Sequence, residues 1–247
     1  MHGVGGEPSA AIVVADLHCG YAASMPGVFE GIGFSIDPGE MVALVGPNGC
    51  GKTTLLRCLV GELPMQGTVV IHGSRPRRGY VSYVPQVQRW ERDYPITVGE
   101  VVAAGRRAHR CLFGRLSHHD REAIDAAIEE VGLPDLHRRP LSHLSGGQFR
   151  RVLIARALAQ DADVMLLDEP FAGLDRDSAL RVIDALRRRV ARGVTVLASV
   201  HELDLVRIGF PRVLGLDRST VHDGRPGDIL NDEPVGMFRA QVAALAL

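Results

Sequence analysis

Gly46-Pro47-Asn48-Gly49-Cys50-Gly51-Lys52-Thr53 is the stretch on which the reading of this chain turns. Its spacing is G-x-x-x-x-G-K-T, and a string of that form arises by chance in on the order of one chain in a hundred of average composition. The flanks remove chance as an explanation. Residues 41–45 before it are all apolar, the pattern of a strand buried on both faces. Leu55, Leu56, Leu59 and Val60 after it fall on one face of a helix that stops near Gly61. A glycine-rich turn between strand and helix lets successive backbone N–H groups point inward, and the helix N-terminus adds partial positive charge. Such a loop cradles a phosphate. Lys52 can reach the β- and γ-phosphates of a nucleotide, the hydroxyl of Thr53 can ligate Mg²⁺, and Thr54 continues the loop into the helix.

Outward from this loop, the chain alternates strand and helix. Residues 11–17 and 32–36 read as short strands, and Asp37-Pro38-Gly39 as a turn. Residues 68–71 and 80–84 are further strands. From about residue 88 to 160 the pattern is helical instead. A short helix is predicted over 100–105. A second starts at the S-x-x-D signal of Ser117 and Asp120 and carries the stripe Ile124, Ala127, Ile128 and Val131. Pro134 and Pro140 interrupt the chain before a third helix starting near Ser145. Strands then return at 164–167, 194–200, 213–216 and near Val221, with a helix striped by Leu180, Ile183, Leu186 and Val190. The alternation predicts an α/β fold, a mostly parallel sheet with helices on its faces. The boundaries expected are a sheet lobe over about 10–87 and 161–230, an inserted helical lobe over about 88–160, and a tail over 231–247.

Composition narrows the class. The 247 residues fit one large α/β domain or one domain with an inserted lobe, and 46% apolar content is ordinary for a globular protein. The net charge of −1 gives no strong pull toward nucleic acid or anionic lipid. Arg187, Arg188 and Arg189 read as a solvated helix face. No apolar run approaches the ~20 residues that span a bilayer, and the glycine-rich first ten residues read as a frayed terminus, not a signal peptide. The four cysteines, Cys19, Cys50, Cys58 and Cys111, contain no C-x-x-C pair, so they are expected as thiols, with Cys50 a small filler inside the phosphate loop. The His118-His119 pair is expected to be solvated, without a ligand role.

Two more strings carry chemistry. Residues 164–167 lead into Asp168 and Glu169, an apolar strand ending in two carboxylates. Asp168 is placed to hold Mg²⁺, directly or through water, and Glu169 to act as general base on the attacking water. Leu144-Ser145-Gly146-Gly147-Gln148 reads locally as a helix start, with Ser145 and Gln148 as an S-x-x-Q capping box. Two glycines there weaken a helix by ~1 kcal/mol each against alanine. Bare N–H groups at a helix start also suit a second phosphate. An ordinary capped helix with tolerated glycines is the plainer alternative for this string by itself.

Together, a phosphate loop, LSGGQ and an apolar strand ending in Asp-Glu resemble the ATP-binding-cassette family, over about residues 12–230. The resemblance implies a P-loop NTPase fold, with a mixed and mostly parallel sheet core, an N-terminal antiparallel β subdomain and an inserted helical lobe. It implies ATP and Mg²⁺ as cofactors. It implies two nucleotide-binding chains paired head to tail, with LSGGQ of one closing over ATP held by the loop of the other. Tyr21 then stands where the family stacks an aromatic ring on adenine, although a plain core or surface tyrosine is the other reading. Gln86 matches the family's glutamine that approaches Mg²⁺ and the attacking water. Gly173, Leu174 and Asp175 match the loop at the dimer seam, and His201 matches the switch histidine at the γ-phosphate. The chain departs from the family pattern in Phe171-Ala172-Gly173-Leu174-Asp175, in Phe149-Arg150-Arg151 where a second glutamine is frequent, and in Val200-His201-Glu202. None of these changes removes a catalytic group.

A finer resemblance concerns the cargo. Trp90, the run from Asp93-Tyr94-Pro95 to Ile96-Thr97-Val98, Val101-Val102, Gly105-Arg106 and the stretch around Phe171 resemble motor subunits of zinc and manganese importers. Iron-siderophore and cobalamin importers have similar motors and are the competing reading. The likeness implies a homodimer at the inner face of the cell membrane, in the cytoplasm, bound to an integral membrane permease and served indirectly by a solute-binding protein. A soluble cassette ATPase of translation or DNA repair would be expected to fuse two cassettes or insert long coiled coils. A non-catalytic nucleotide sensor would be expected to lack Asp168, Glu169 or His201.

Overall fold

Three strands are buried at every residue: Met41–Val45, Val164–Asp168 and Thr195–Ser199. Strands of this kind belong at the centre of a sheet covered on both faces, and they lie side by side in the computed structural model. The structure describes residues 10–19, 28–72, 80–86, 95–107, 116–217 and 220–231. In chain order these form β1 (Ile12–Cys19), β2 (Phe29–Ile36), β3 (Met41–Val45), α1 (Lys52–Leu59), β4 (Met65–Ile71), β5 (Val81–Val84), α2 (Val98–Arg107), α3 (His118–Glu130), α4 (Gly146–Gln160), β6 (Val164–Asp168), α5 (Arg176–Val190), β7 (Thr195–Ser199), α6 (Leu203–Gly209), β8 (Arg212–Leu216), β9 (Val221–Gly224) and α7 (Pro226–Asn231). The two prolines that interrupt the helical stretch each open a single 3₁₀ turn, Pro134–Leu136 and Leu141–His143.

Six strands form one sheet in the order β5-β6-β7-β3-β8-β9, parallel throughout except for the hairpin pair β8 and β9. Three others, in the order β2-β1-β4, form a separate antiparallel sheet. The register of the large sheet matters for function. Ser199 is opposite Leu44 at the end of β3 and opposite Asp168 at the end of β6. The carboxyl ends of three buried strands therefore share one edge, where α/β sheets place their ligands.

Successive residues of a strand point to opposite faces, and β3 and β6 divide accordingly. Met41, Ala43, Val45, Met165 and Leu167 join the apolar core containing α2, α3, α4 and α5. Val42, Leu44, Val164 and Leu166 join the core beneath α1 and the three-stranded sheet. Each of these valine, leucine and methionine side chains contributes roughly 1.5–3 kcal/mol by leaving water. Helix α4 runs between α2, α3 and β5, so it buries residues on most of its sides, from Arg150 to Ala159.

Local signals produce the helix starts. Ser117 accepts a hydrogen bond from the Asp120 N–H at 3.2 Å, and Asp120 accepts one from the Ser117 N–H at 2.8 Å, the reciprocal cap that the sequence suggests. Asp120 is fully buried and is held by the Arg106 guanidinium at 3.1 Å. Cys19 and Cys58 lie in contact as buried thiols, with Sγ atoms 3.1 Å apart, and burial pushes the Cys58 thiol far above its ordinary value.

One surface reading is overturned. Arg189 is not solvated: it is buried and its guanidinium donates to Glu130 at 3.1 Å. Residues three in a row on a helix are turned about 100° apart, so one of three arginines faces inward. Helices α6 and α7 are additions to the expected elements. Residues 1–9, the tail beyond residue 231, Tyr21, Trp90, Asp93, Tyr94 and Cys111 lie outside the described residues.

Candidate active site

Helix α1 begins at Lys52 directly from the loop, with Gly51 as its cap residue and no side chain capping it. Gly51 has φ of 108°, and a Cβ there would come within 2.6 Å of the Phe29 ring, so the turn requires glycine. The first N–H groups of α1 are left for an anion, with the helix dipole behind them. Lys52 is buried, and its ammonium donates to the carbonyls of Gly46 at 2.7 Å and Pro47 at 3.1 Å. Burial draws its pKa below the usual 10.5. Cys50 faces inward, buried, and its thiol is pushed up by desolvation, the filler role expected of it.

The carboxylates lie across the same edge. Asp168, 1% exposed, ends β6 with both oxygens engaged. Its Oδ2 accepts from the Thr53 hydroxyl at 2.7 Å and its Oδ1 from the Ser199 hydroxyl at 2.6 Å. Ser199 Oγ in turn accepts the Glu169 N–H at 2.8 Å. Ser199 thus fixes both members of the Asp-Glu pair from the neighbouring strand. Nothing local in the sequence marks it; its role arises from the register of β7 against β6. Glu169 has φ of 49°, a left-handed conformation of order 1–3 kcal/mol above the usual regions, held by this network. The turn sends its side chain to His201, whose Nε2 is 2.5 Å from Glu169 Oε1. Thr53 and Asp168 face each other with the hard oxygen donors that Mg²⁺ takes, so these residues fit that ion.

The remaining site residues lie on other elements. Ser145 caps α4, accepting from the Gln148 N–H at 3.2 Å, while Gln148 Oε1 accepts from the Ser145 N–H at 3.0 Å. The two glycines between them differ. A methyl on Gly146 would meet nothing within 4 Å, whereas one on Gly147 would come within 3.1 Å of the Gly173 carbonyl. Gly147 therefore packs on the loop leading to Asp175, and Gly146 faces open space. Asp175 caps α5, taking the Ser178 N–H and hydroxyl, each at 2.8 Å. Those two bonds lower its pKa. Within one chain its carboxylate is occupied by the cap. Phe171, edge-on to Phe210 with ring centroids 6.2 Å apart, anchors the start of this loop.

Gln86 follows β5 and is exposed. Its carbonyl and that of Pro85 accept from the two terminal nitrogens of Arg150 on α4, at 2.8 and 2.9 Å. Sequence reading gave Arg150 no role.

Residues 29–172 match the family model described as ABC transporter. The chain belongs to the ABC transporter family. It is an ATP-binding subunit, and an ATPase, of that family. It is 36% identical over 208 residues to the manganese transport system ATP-binding protein MntB of Halalkalibacterium halodurans, covering 83% of each chain. It is 37% identical over 229 residues to the zinc transport system ATP-binding protein TroB of Treponema pallidum, covering 91% of this chain and 85% of that one. The solved ATP-binding subunit of an ABC transporter superposes with a TM-score of 0.78 at 26% identity, over 89% of this chain and 91% of that one. The fold of this ABC ATPase is thus the antiparallel three-stranded subdomain joined to a mixed, mostly parallel sheet with helices. Among its described residues no helix is long and apolar enough to cross a membrane. Membership of a transporter implies a membrane permease as partner.

Proposed function

We propose that this ABC ATPase drives import of a divalent metal ion, zinc or manganese, through a separately encoded permease. The carrying observation is that relatives named for manganese and zinc transport align over more than four-fifths of the chain at 36% and 37% identity. The chain works as a pair of identical copies at the inner face of the cell membrane, and a solute-binding protein delivers the ion to the permease.

The residues support a definite division of labour. The 46–53 backbone wraps the triphosphate, and Lys52 leaves the Gly46 and Pro47 carbonyls for its phosphates. Tyr21 stacks on the adenine. Thr53 and Asp168 would hold Mg²⁺, with Gln86 as a further oxygen donor. When bound, Mg²⁺ neutralises charge on the β- and γ-phosphate oxygens. Glu169 accepts the proton of the attacking water, and His201 turns from Glu169 toward the γ-phosphate. Ser145, Gly146, Gly147 and Gln148 of the second copy close over the same phosphate, with Asp175 at the seam. ATP favours the closed pair through contacts that only this state makes. Hydrolysis removes those contacts and the pair opens. The helices of residues 88–160 move as a lobe and pass the motion to the permease.

Uptake of labelled zinc and manganese by cells lacking this chain tests the reading. Wild-type chain is expected to restore uptake of one of these ions, and Glu169→Gln to leave it absent. Uptake restored by both, or a defect confined to cobalamin or ferric siderophores, would refute metal import.

A further inference from the structure

We propose that Arg150 is a positioning residue that ties the Gln86 loop to the helix bearing Ser145 to Gln148. Through it, ATP at the second copy's phosphate loop sets where Gln86 stands in this copy's site. The inference rests on the reading of Gln86 and of the 145–148 segment given above.

Arg150 is 8% exposed, yet its cationic head is given to two successive backbone carbonyls, Pro85 O and Gln86 O, rather than to solvent. A guanidinium is a planar fork with donors in fixed relative positions. The two carbonyls belong to the peptide units on either side of the Gln86 Cα, so gripping both fixes the position and the twist of the backbone from which the Gln86 side chain departs. A lysine presents a single point of attachment and would leave the twist free.

The other end of the connection is rigid. Arg150 lies in the second turn of α4, and Gly146 is its first residue. At 1.5 Å rise per residue the two are about 6 Å apart along one continuous helix. A displacement of the exposed helix start is therefore transmitted to the guanidinium with little slack. The buried flank of the helix, with Val152, Leu153 and Ile154 all in the core, prevents the helix from yielding separately. Arg150 also feels the charges of Glu169 and Asp168, which oppose the effect of its burial. The fork thus spans from the surface met by the second copy to the edge of this copy's own carboxylate cluster, using protein atoms alone.

A merely structural arginine would satisfy two carbonyls and nothing more. It would affect stability, and turnover only in proportion. A positioning role makes a different prediction for Arg150→Met, which keeps the buried stem and deletes the fork. In the chain purified with its permease, kcat is expected to fall about tenfold or more, and the Hill coefficient for ATP to fall toward about 1. Affinity of the same variant for a fluorescent ATP analogue should stay within about twofold of wild type. Arg150→Lys, which keeps the charge and one attachment, is expected to be intermediate in kcat and provides a folded variant if the methionine variant is unstable. Gln86→Ala is measured beside them. The double variant with Arg150→Met should be no slower than Gln86→Ala alone. Wild-type kcat and Hill coefficient in Arg150→Met, or in Arg150→Lys where only that variant folds, would overturn the proposal. So would a loss of kcat and analogue binding together that follows the loss of thermal stability. Full turnover by Gln86→Ala would instead overturn the underlying reading of the site.

Discussion

His201 Nε2 lies 2.5 Å from Glu169 Oε1, so the proposed general base is engaged by the residue proposed to sense the γ-phosphate. A carboxylate in that contact is not free to receive the proton of water. In the proposed mechanism, release of Glu169 depends on His201 finding a better partner in the γ-phosphate. Glu169→Gln is expected to bind ATP near normally, to hydrolyse it about 10²–10⁴-fold more slowly, and to accumulate as a closed pair. Steady-state ATPase assays with size-exclusion chromatography in ATP check this. Normal turnover by the variant would remove Glu169 from the mechanism.

Ser199 makes two bonds with one hydroxyl, donating to Asp168 and accepting from the Glu169 N–H. Ser199→Ala leaves a half-buried donor and a buried carboxylate oxygen without that partner. The expected loss is about 1–3 kcal/mol. At about 2–4 °C per kcal/mol for a chain of this size, Tm should fall by several degrees, with a larger fractional loss of Mg²⁺-dependent turnover. Unchanged Tm and turnover would show that the clamp is dispensable.

Lys52 carries a pKa drawn below its usual 10.5 by burial. Phosphates require the charged form and draw the pKa back up. Above the lowered pKa, binding must therefore take up a proton, and affinity falls as pH rises. Titration with a non-hydrolysable ATP analogue from about pH 7 to about pH 10 should show this fall. Calorimetry in two buffers should show proton uptake at the alkaline end. Affinity that stays flat over this range would contradict the role given to Lys52.

Gly146 and Gly147 are expected to respond differently to alanine. Gly146→Ala meets open space, and removing a helical glycine stabilises by up to about 1 kcal/mol. In the proposed pair its methyl would stand where the second copy's phosphates approach, so Tm should rise or hold while turnover falls. Gly147→Ala crowds the Gly173 carbonyl and should lower both. Paired melting curves and ATPase rates distinguish the two. Full activity in Gly146→Ala would count against a phosphate at that helix start.

What the sequence revealed was local. The strand before the phosphate loop, the helix after it and the capping boxes at Ser117 and Ser145 are each written within a few adjacent residues. What it hid was long-range. Ser199 gains its role from register with Asp168, 31 residues away, and Arg150 from carbonyls 64 and 65 residues away. Neither a serine ending a strand nor an arginine in a helix indicates its partner. Arg189 was misread because neighbouring arginines look alike in a row, while helix geometry turns one of them toward Glu130. Helices α6 and α7, of 7 and 6 residues, are too short to show a period.

The structure of Glu169→Gln bound to ATP and Mg²⁺, determined with the permease, bears most directly on the proposed motor. Each ATP is expected between residues 46–53 of one copy and residues 145–148 of the other. An ATP held by a single chain, with the Ser145 to Gln148 segment of every copy turned away from it, would contradict the mechanism at its root.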